Sequence, residues 1–166
     1  PLVYDSDGRG RRVVPSPRPL SIVEVQVIRQ MLELGVIVIA AGGGGIPVVE
    51  RNGRLEGVEA VVDKDLATAL LAVAVEADLL VLVTGVPGVY TNFLGDDACL
   101  LKHFHPDELA ALASAGHFPP GSMGPKVEAA IGYVRATGKR AVICQPGDLV
   151  QAIAGKLGTI IDAEVR

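Results

Sequence analysis

Residues 36–48 read VIVIAAGGGGIPV, a run of β-branched and small apolar side chains that passes into four consecutive glycines, Gly42, Gly43, Gly44 and Gly45. The run predicts a buried strand over residues 36–41. A strand that breaks into glycine brings bare backbone N–H groups to the edge of a sheet, where an anion can approach without meeting a Cβ. Phosphate, or a group about to carry it, is the first ligand to consider, although four glycines also make a tight turn that binds nothing.

The remaining apolar content is of the same kind. Of the 166 residues 49% are hydrophobic while only 4% are aromatic and none is Trp, so Val, Ile, Leu and Ala must form the core. That mixture suits strands buried on both faces between helices, and the length suits one domain over residues 1–166. A net charge of -4 without a basic, aromatic-interleaved stripe excludes a nucleic-acid partner. The longest apolar stretches, about six to eight residues, fall far short of the roughly 20 that cross a bilayer, and no basic-then-apolar signal segment opens the chain. Membrane association and export are therefore not expected. Cys99 and Cys144 belong to no CxxC pair and lie near no His at ligand spacing, as expected of reduced thiols in a cytoplasmic protein. The abrupt start at Pro1 points to residues upstream.

Residues 5–20, rich in Gly, Arg and alternating Pro15, Pro17 and Pro19, predict an extended lead-in within residues 1–20. Ser21-Ile22-Val23-Glu24 reads as a capping box for a helix that carries Ile22, Val25, Ile28, Met31 and Leu32 on one face and stops at Gly35. Asn52-Gly53 between two apolar runs predicts a two-residue hairpin. Asp63 can cap a helix reaching about Glu76; residues 79–83 form the next strand, closed by Thr84-Gly85. A third helix is expected over residues 106–115 and a fourth from Gly124-Pro125, with Pro at its first position. Residues 140–144 supply a strand, 148–154 a short helix and 159–161 a last strand. The alternation argues for a three-layer α/β/α sandwich with a mainly parallel sheet.

Ligands of such sheets bind beyond the carboxyl ends of the strands. Both glycine turns, Gly42 to Gly45 and Thr84-Gly85-Val86-Pro87-Gly88, belong there, and the second leaves room for a base or ribose. Asp63-Lys64-Asp65 opens a helix; the acids suit the positive end of its dipole and the lysine does not, a conflict an anionic partner removes. Gly121-Ser122-Met123-Gly124-Pro125-Lys126 repeats the arrangement, so loop N–H groups, helix N-terminus and Lys126 would form an anion site. No lysine follows Gly45 at Walker A spacing. His103, His105 and His117 sit in expected loops with no acid at metal-ligand spacing, and no metal site is assigned. The serines lack a nucleophile-elbow context. Cys144 lies in an apolar strand and is assigned to the core.

Together, Arg12-Val13-Val14-Pro15-Ser16-Pro17, Ala41 through Val48, Gly57 through Asp65, and Gly116-His117-Phe118 through Lys126 resemble, in order, the motifs of carbamate kinase, a member of the amino-acid kinase superfamily. The likeness runs from about residue 9 to Gly155-Lys156-Leu157-Gly158-Thr159. The resemblance implies reversible phosphoryl transfer between ATP and carbamate, giving ADP and carbamoyl phosphate, often run toward ATP, with Mg²⁺, in a cytoplasmic homodimer of arginine metabolism. By motif position Lys64 and Lys126 would lie against the transferring phosphoryl group and the nucleotide phosphates, and Asp65 would orient them. Gly42, Gly43, Gly44 and Gly45 would face the carbamate end, while Thr84, Gly85, Val86, Tyr90, Met123 and Gly124 would contact the nucleotide. The family pattern has a further half-chain upstream, with a first glycine-rich phosphate loop and another lysine, neither of which is in this sequence. Pro87 also stands where many relatives carry a polar residue. The resemblance therefore covers a C-terminal, nucleotide-binding portion, which by itself is expected to be inactive or very slow; a nucleotide-binding module without turnover, or a structural domain, are the competing readings.

Overall fold

Residues 2–4, 8, 10–93 and 95–164 are described in the computed structural model of the protein; Asp5, Ser6, Asp7 and Arg9 of the expected lead-in lie outside them. In chain order the elements are β1 (Leu2–Tyr4), β2 (Gly10–Arg12), α1 (Val25–Glu33), β3 (Val48–Arg51), β4 (Arg54–Gly57), α2 (Lys64–Ala74), β5 (Leu80–Val83), β6 (Tyr90–Thr91), β7 (Cys99–Leu100), β8 (His103–Phe104), α3 (Pro106–Ser114), α4 (Met123–Thr137), β9 (Ala141–Cys144), α5 (Leu149–Ile153) and β10 (Thr159–Ile161).

The central sheet has the order β5-β9-β10-β8. Its β5–β9 and β8–β10 ladders are parallel, with Leu80 opposite Ala141 and Ile161 opposite Phe104, and the β9–β10 ladder is antiparallel. The reversal follows from the short link through α5, in which Gly155 and Gly158 take positive φ; a Cβ at Gly158 would lie 2.8 Å from the Ile143 carbonyl oxygen. Period-two alternation then sorts the side chains. Leu80, Leu82, Ala141, Ile143 and Ile161 pack with α2, α3 and α4 in the main core. Val142, Cys144 and Ile160 face the other way, onto Ala152 of α5. Three layers result, and burial on both faces explains why these strands are continuous apolar runs. Burial also pushes the Cys144 thiol pKa up, consistent with a packing role.

Several local expectations are met in detail. Asn52 (φ 51) and Gly53 (φ 74) turn the β3–β4 hairpin, with Arg51 opposite Arg54. Gly35 (φ 76) ends α1 in a Schellman motif: the Val36 N–H donates to the Met31 carbonyl and the Gly35 N–H to that of Leu32.

Others need correction. Ser21 forms no cap: α1 starts at Val25, behind Glu24, which makes no side-chain cap hydrogen bond. Residues 10–12 of the extended lead-in go further than expected and form a strand, β2, paired antiparallel with β1. His103 lies on β8 rather than in a loop, because this edge strand adds to β10. Helix α4 begins two residues before Pro125, since the Pro119 carbonyl accepts the Gly124 N–H and winds the chain early. The largest departure is residues 36–41, which form no strand. Ile37 is 92% exposed and Ile39 97% exposed; among the described residues no strand lies alongside to take up the ladder, and a β-branched run without a neighbour gains neither hydrogen bonds nor burial.

Candidate active site

Asp63 stands in extended conformation (φ -66, ψ 129) just before α2, and its Oδ1 accepts the N–H groups of Asp65 at 2.8 Å and Leu66 at 3.2 Å. This cap fixes where the helix starts and so where its first two side chains point. Lys64 reaches out, its side chain 61% exposed, with Nζ 3.4 Å from Asp65 Oδ2. Asp65 turns inward and is only 5% exposed. A carboxylate so placed needs a charged partner, and α4 supplies it. Lys126 Nζ donates to Asp65 Oδ1 at 2.8 Å and to Oδ2 at 2.9 Å, across 61 residues of sequence.

The two lysines thus share one carboxylate. Counting Asp63, the formal charge of the four side chains is zero, but the Asp63 carboxylate is turned onto the N–H groups it caps. The outward-facing charge is the Lys64 ammonium, beside a helix N-terminus worth about half a positive charge. α4 offers less at its start: Ser122 makes no side-chain cap hydrogen bond, but the Pro119 carbonyl accepts the N–H groups of Ser122 and Gly124, and Pro125 has none to give. Gly124 sits in this turn for want of space, since a Cβ there would lie 3.0 Å from the Pro119 carbonyl oxygen.

The glycine turn abuts this cluster. Ala41 adopts φ 52, and residues Gly42–Gly44 form a 3-10 turn. At Gly44 (φ 102) a Cβ would come within 2.0 Å of the Val62 carbonyl oxygen and 3.3 Å of the Lys64 nitrogen, so the turn is pressed onto the backbone entering α2. Gly42, Gly43 and Gly45 are exposed, with open space where a side chain would be.

Topology brings in the second turn. α2 precedes β5 and α4 precedes β9, each through a short link, and β5 and β9 are parallel; both helix N-termini therefore stand at the carboxyl rim of these strands. The Thr84 N–H continues the ladder by donating to the Cys144 carbonyl at 2.9 Å, which sets Thr84, Gly85 and Val86 on that rim. Met123 and Gly124 share the first turn of α4 with Lys126. Tyr90, on β6, makes an edge contact with Phe93 at 5.5 Å between ring centroids.

Thr159 was not singled out in the sequence. Fully buried at the start of β10, its hydroxyl accepts the Val89 N–H at 2.8 Å and donates to the Leu101 carbonyl at 2.5 Å. It thereby pins the chain between the Thr84 turn and β6. A threonine heading an apolar strand in Leu157-Gly158-Thr159 was the available signal. A hollow of about 590 Å³ between α3 and α4 touches the predicted site residues only at Gly124. The charge cluster is therefore the better guide to chemistry. No group of three or more His, Cys, Asp or Glu is placed to hold a metal ion among the described residues.

Residues 3–145 match the amino acid kinase family. The chain belongs to that family. This amino acid kinase chain is 48% identical over 159 residues to the carbamate kinase of Pyrococcus horikoshii, covering 95% of the chain and 51% of the relative. It is 50% identical over 163 residues to that of Thermococcus kodakarensis, covering 98% and 52%. Among solved structures, Giardia lamblia carbamate kinase bound to AMP-PNP superposes with a TM-score of 0.92 at 47% identity, over 97% of this chain and 51% of that one. An Aeropyrum pernix K1 protein does so at 0.91 and 51% identity, over 97% and 52%. The α/β sandwich is thus that of carbamate kinases, and the chain spans about half the length of these relatives.

Proposed function

We propose that this chain is the C-terminal, nucleotide-binding portion of a carbamate kinase, transferring a phosphoryl group between ATP and carbamate and working in the cytoplasm toward ATP synthesis. The observation that carries the reading is the trio Lys64, Asp65 and Lys126, gathered under a glycine turn in a chain whose half-length matches are carbamate kinases.

In the direction of ATP synthesis, a β-phosphate oxygen of ADP attacks phosphorus of carbamoyl phosphate; the bond from phosphorus to the carbamoyl oxygen breaks and carbamate leaves with the electron pair. Such a transfer needs no side-chain nucleophile, only alignment and charge stabilisation. Lys126, held by Asp65, lies against the nucleotide phosphates and Lys64 against the moving phosphoryl group. Gly42, Gly43 and Gly45 face the carbamate end, with the N–H groups of Gly42 and Gly43 offered to it, that of Gly45 donated to the Gly42 carbonyl, and Gly44 holding the turn in place. Thr84, Gly85, Val86, Tyr90, Met123 and Gly124 take the nucleotide, a role supported by the AMP-PNP carried by the Giardia relative, since AMP-PNP is an ATP analogue. Magnesium would supply charge neutralisation on the polyphosphate. The donor set here, two ammonium groups and a carboxylate bonded through both oxygens, is no magnesium cage, so the ion would arrive on phosphate and water rather than on these residues.

These 166 residues alone should turn over slowly or not at all, because the family's first phosphate loop and its further lysine lie outside them. Calorimetry with ADP and Mg²⁺ is expected to show binding, and a flat titration rejects the nucleotide site. A coupled assay of ATP formation from carbamoyl phosphate, run on the full-length homodimeric protein, is expected to show turnover; binding without turnover there favours the second reading, a nucleotide-binding module, which the half-length match also supports.

A further inference from the structure

Apart from the Tyr133 hydroxyl, the buried polar side chains of the described residues are Asp65, Lys126 and Thr159. The first two hold each other, and the proposed transfer uses both. Thr159 has no part in it, although a hydroxyl shut away from water costs stability unless it is hydrogen-bonded.

Its bonds go to one place. Tyr90 lies opposite Leu100 and Thr91 opposite Cys99 in the β6–β7 ribbon, so the register carries on to Val89 opposite Leu101. A hydrogen-bonded pair in an antiparallel ladder exchanges two N–H···O bonds. One is made directly, from the Leu101 N–H to the Val89 carbonyl at 2.8 Å. The other is routed through Thr159, whose Oγ1 accepts the Val89 N–H at 2.8 Å and donates to the Leu101 carbonyl at 2.5 Å. The hydroxyl is a spacer inside the last rung; a rung widened on one side bends the chain entering β6, as an extra residue does in a bulge. Gly88 fits the same account, since a Cβ there would lie 2.6 Å from Thr159 Oγ1 and 3.1 Å from the Thr159 nitrogen.

The turn before β6 is therefore strung between two adjacent strands of the central sheet. Thr84 is tied to Cys144 at the end of β9, and Val89 to Thr159 at the start of β10. Between these anchors Gly85 is exposed and Val86 half-buried. We infer that Thr159 is a positioning residue for the nucleoside half of the nucleotide: its hydroxyl shapes residues 84–90, while the phosphates rest on Lys64 and Lys126 independently of it. The inference rests on the nucleotide-binding reading above.

Calorimetry on the chain with Mg²⁺ and two probes, ADP and inorganic pyrophosphate, tests it. In Thr159→Val, ADP affinity is expected to fall about tenfold or more and pyrophosphate affinity to stay within about twofold. Thr159→Ser, which keeps the hydroxyl, should bind ADP as the native chain does. Unchanged ADP affinity in Thr159→Val overturns the inference; so does an equal loss for both probes, or an equal loss in the serine variant, because each marks a general loosening of the core. If the native chain binds no ADP, the nucleotide reading fails on its own, and amide exchange decides the hold on the turn. Exchange at residues 85–89 is expected to quicken about tenfold or more in Thr159→Val while α4 stays protected, and unchanged exchange there overturns that hold. Should Thr159→Val not fold, Gly88→Ala, which drives a methyl onto the same hydroxyl, undergoes the same measurements and is decided by the same results.

Discussion

Residues 64–161 and residues 13–62 carry apolar patterns of similar strength and meet different fates. In the first region every strand of the central sheet finds a neighbour, and Val142, Ile143 and Ile161 are sealed from water. In the second, an amphipathic helix buries only Ile28, a β-branched run forms no strand, and both strands of the β3–β4 hairpin are exposed along their whole length. Pattern states what a segment can bury; whether it does so depends on a partner within reach. The catalytic candidates sit on the seam, with Lys64, Asp65 and Lys126 on the packed side and the glycine turn on the open one.

The sharpest way to break this contrast is at the seam. Lys126→Ala leaves the Asp65 carboxylate buried and unpaired, so a loss of about 3–5 kcal/mol in urea unfolding is expected, together with weakened ADP binding by calorimetry. Lys64→Ala, at an exposed position, should change stability by less than about 0.5 kcal/mol while still reducing affinity. Equal destabilisation by the two variants would contradict the division between them. Next comes a single residue type in both regions. Ile143→Ala should cost about 2–5 kcal/mol and Ile39→Ala, in these 166 residues, less than about 0.5 kcal/mol, both by urea titration; a comparable cost at Ile39 would mean that the open region is packed in solution. Thr159→Val keeps the shape of the side chain but strips two buried backbone groups of their partner, so a loss of about 1–3 kcal/mol is expected, with weaker ADP binding if the Thr84 turn loosens.

The smallest effect concerns Lys139, whose pKa is raised from its ordinary value of 10.5, chiefly by its hydrogen bond to Asp78. A cation whose pKa is raised on folding stabilises the protein fully below its unfolded value and loses that contribution as pH rises through the folded one. Stability should therefore decline slightly more steeply above pH 10.5 in the native chain than in Lys139→Met, as thermal melts across that range would reveal.

The features legible in the sequence are those fixed by neighbours a few residues apart. Asn52-Gly53 set a hairpin, Asp63 capped α2 and Gly35 stopped α1, each through bonds that close locally. Short strands such as β6, β7 and β8 escaped because two residues show no periodicity, and β8 depends besides on a remote partner, His103 lying opposite Ile160. The early start of α4 came from the Pro119 carbonyl, a contact no helix rule includes. Within the site, the positions of the glycine turns and helix starts were readable, while the bond between Lys126 and Asp65 was not, because no local signal connects two helices so far apart in the chain. Motif resemblance had grouped those residues; the coordinates supply the geometry.

One asymmetry at the shared carboxylate carries further. Lys126 is clasped by both oxygens and shut in, while Lys64 hangs more loosely over one of them with most of its length in solvent. Of this pair, only one ammonium is at liberty to swing through space; the other marks a fixed point from which that swing is measured.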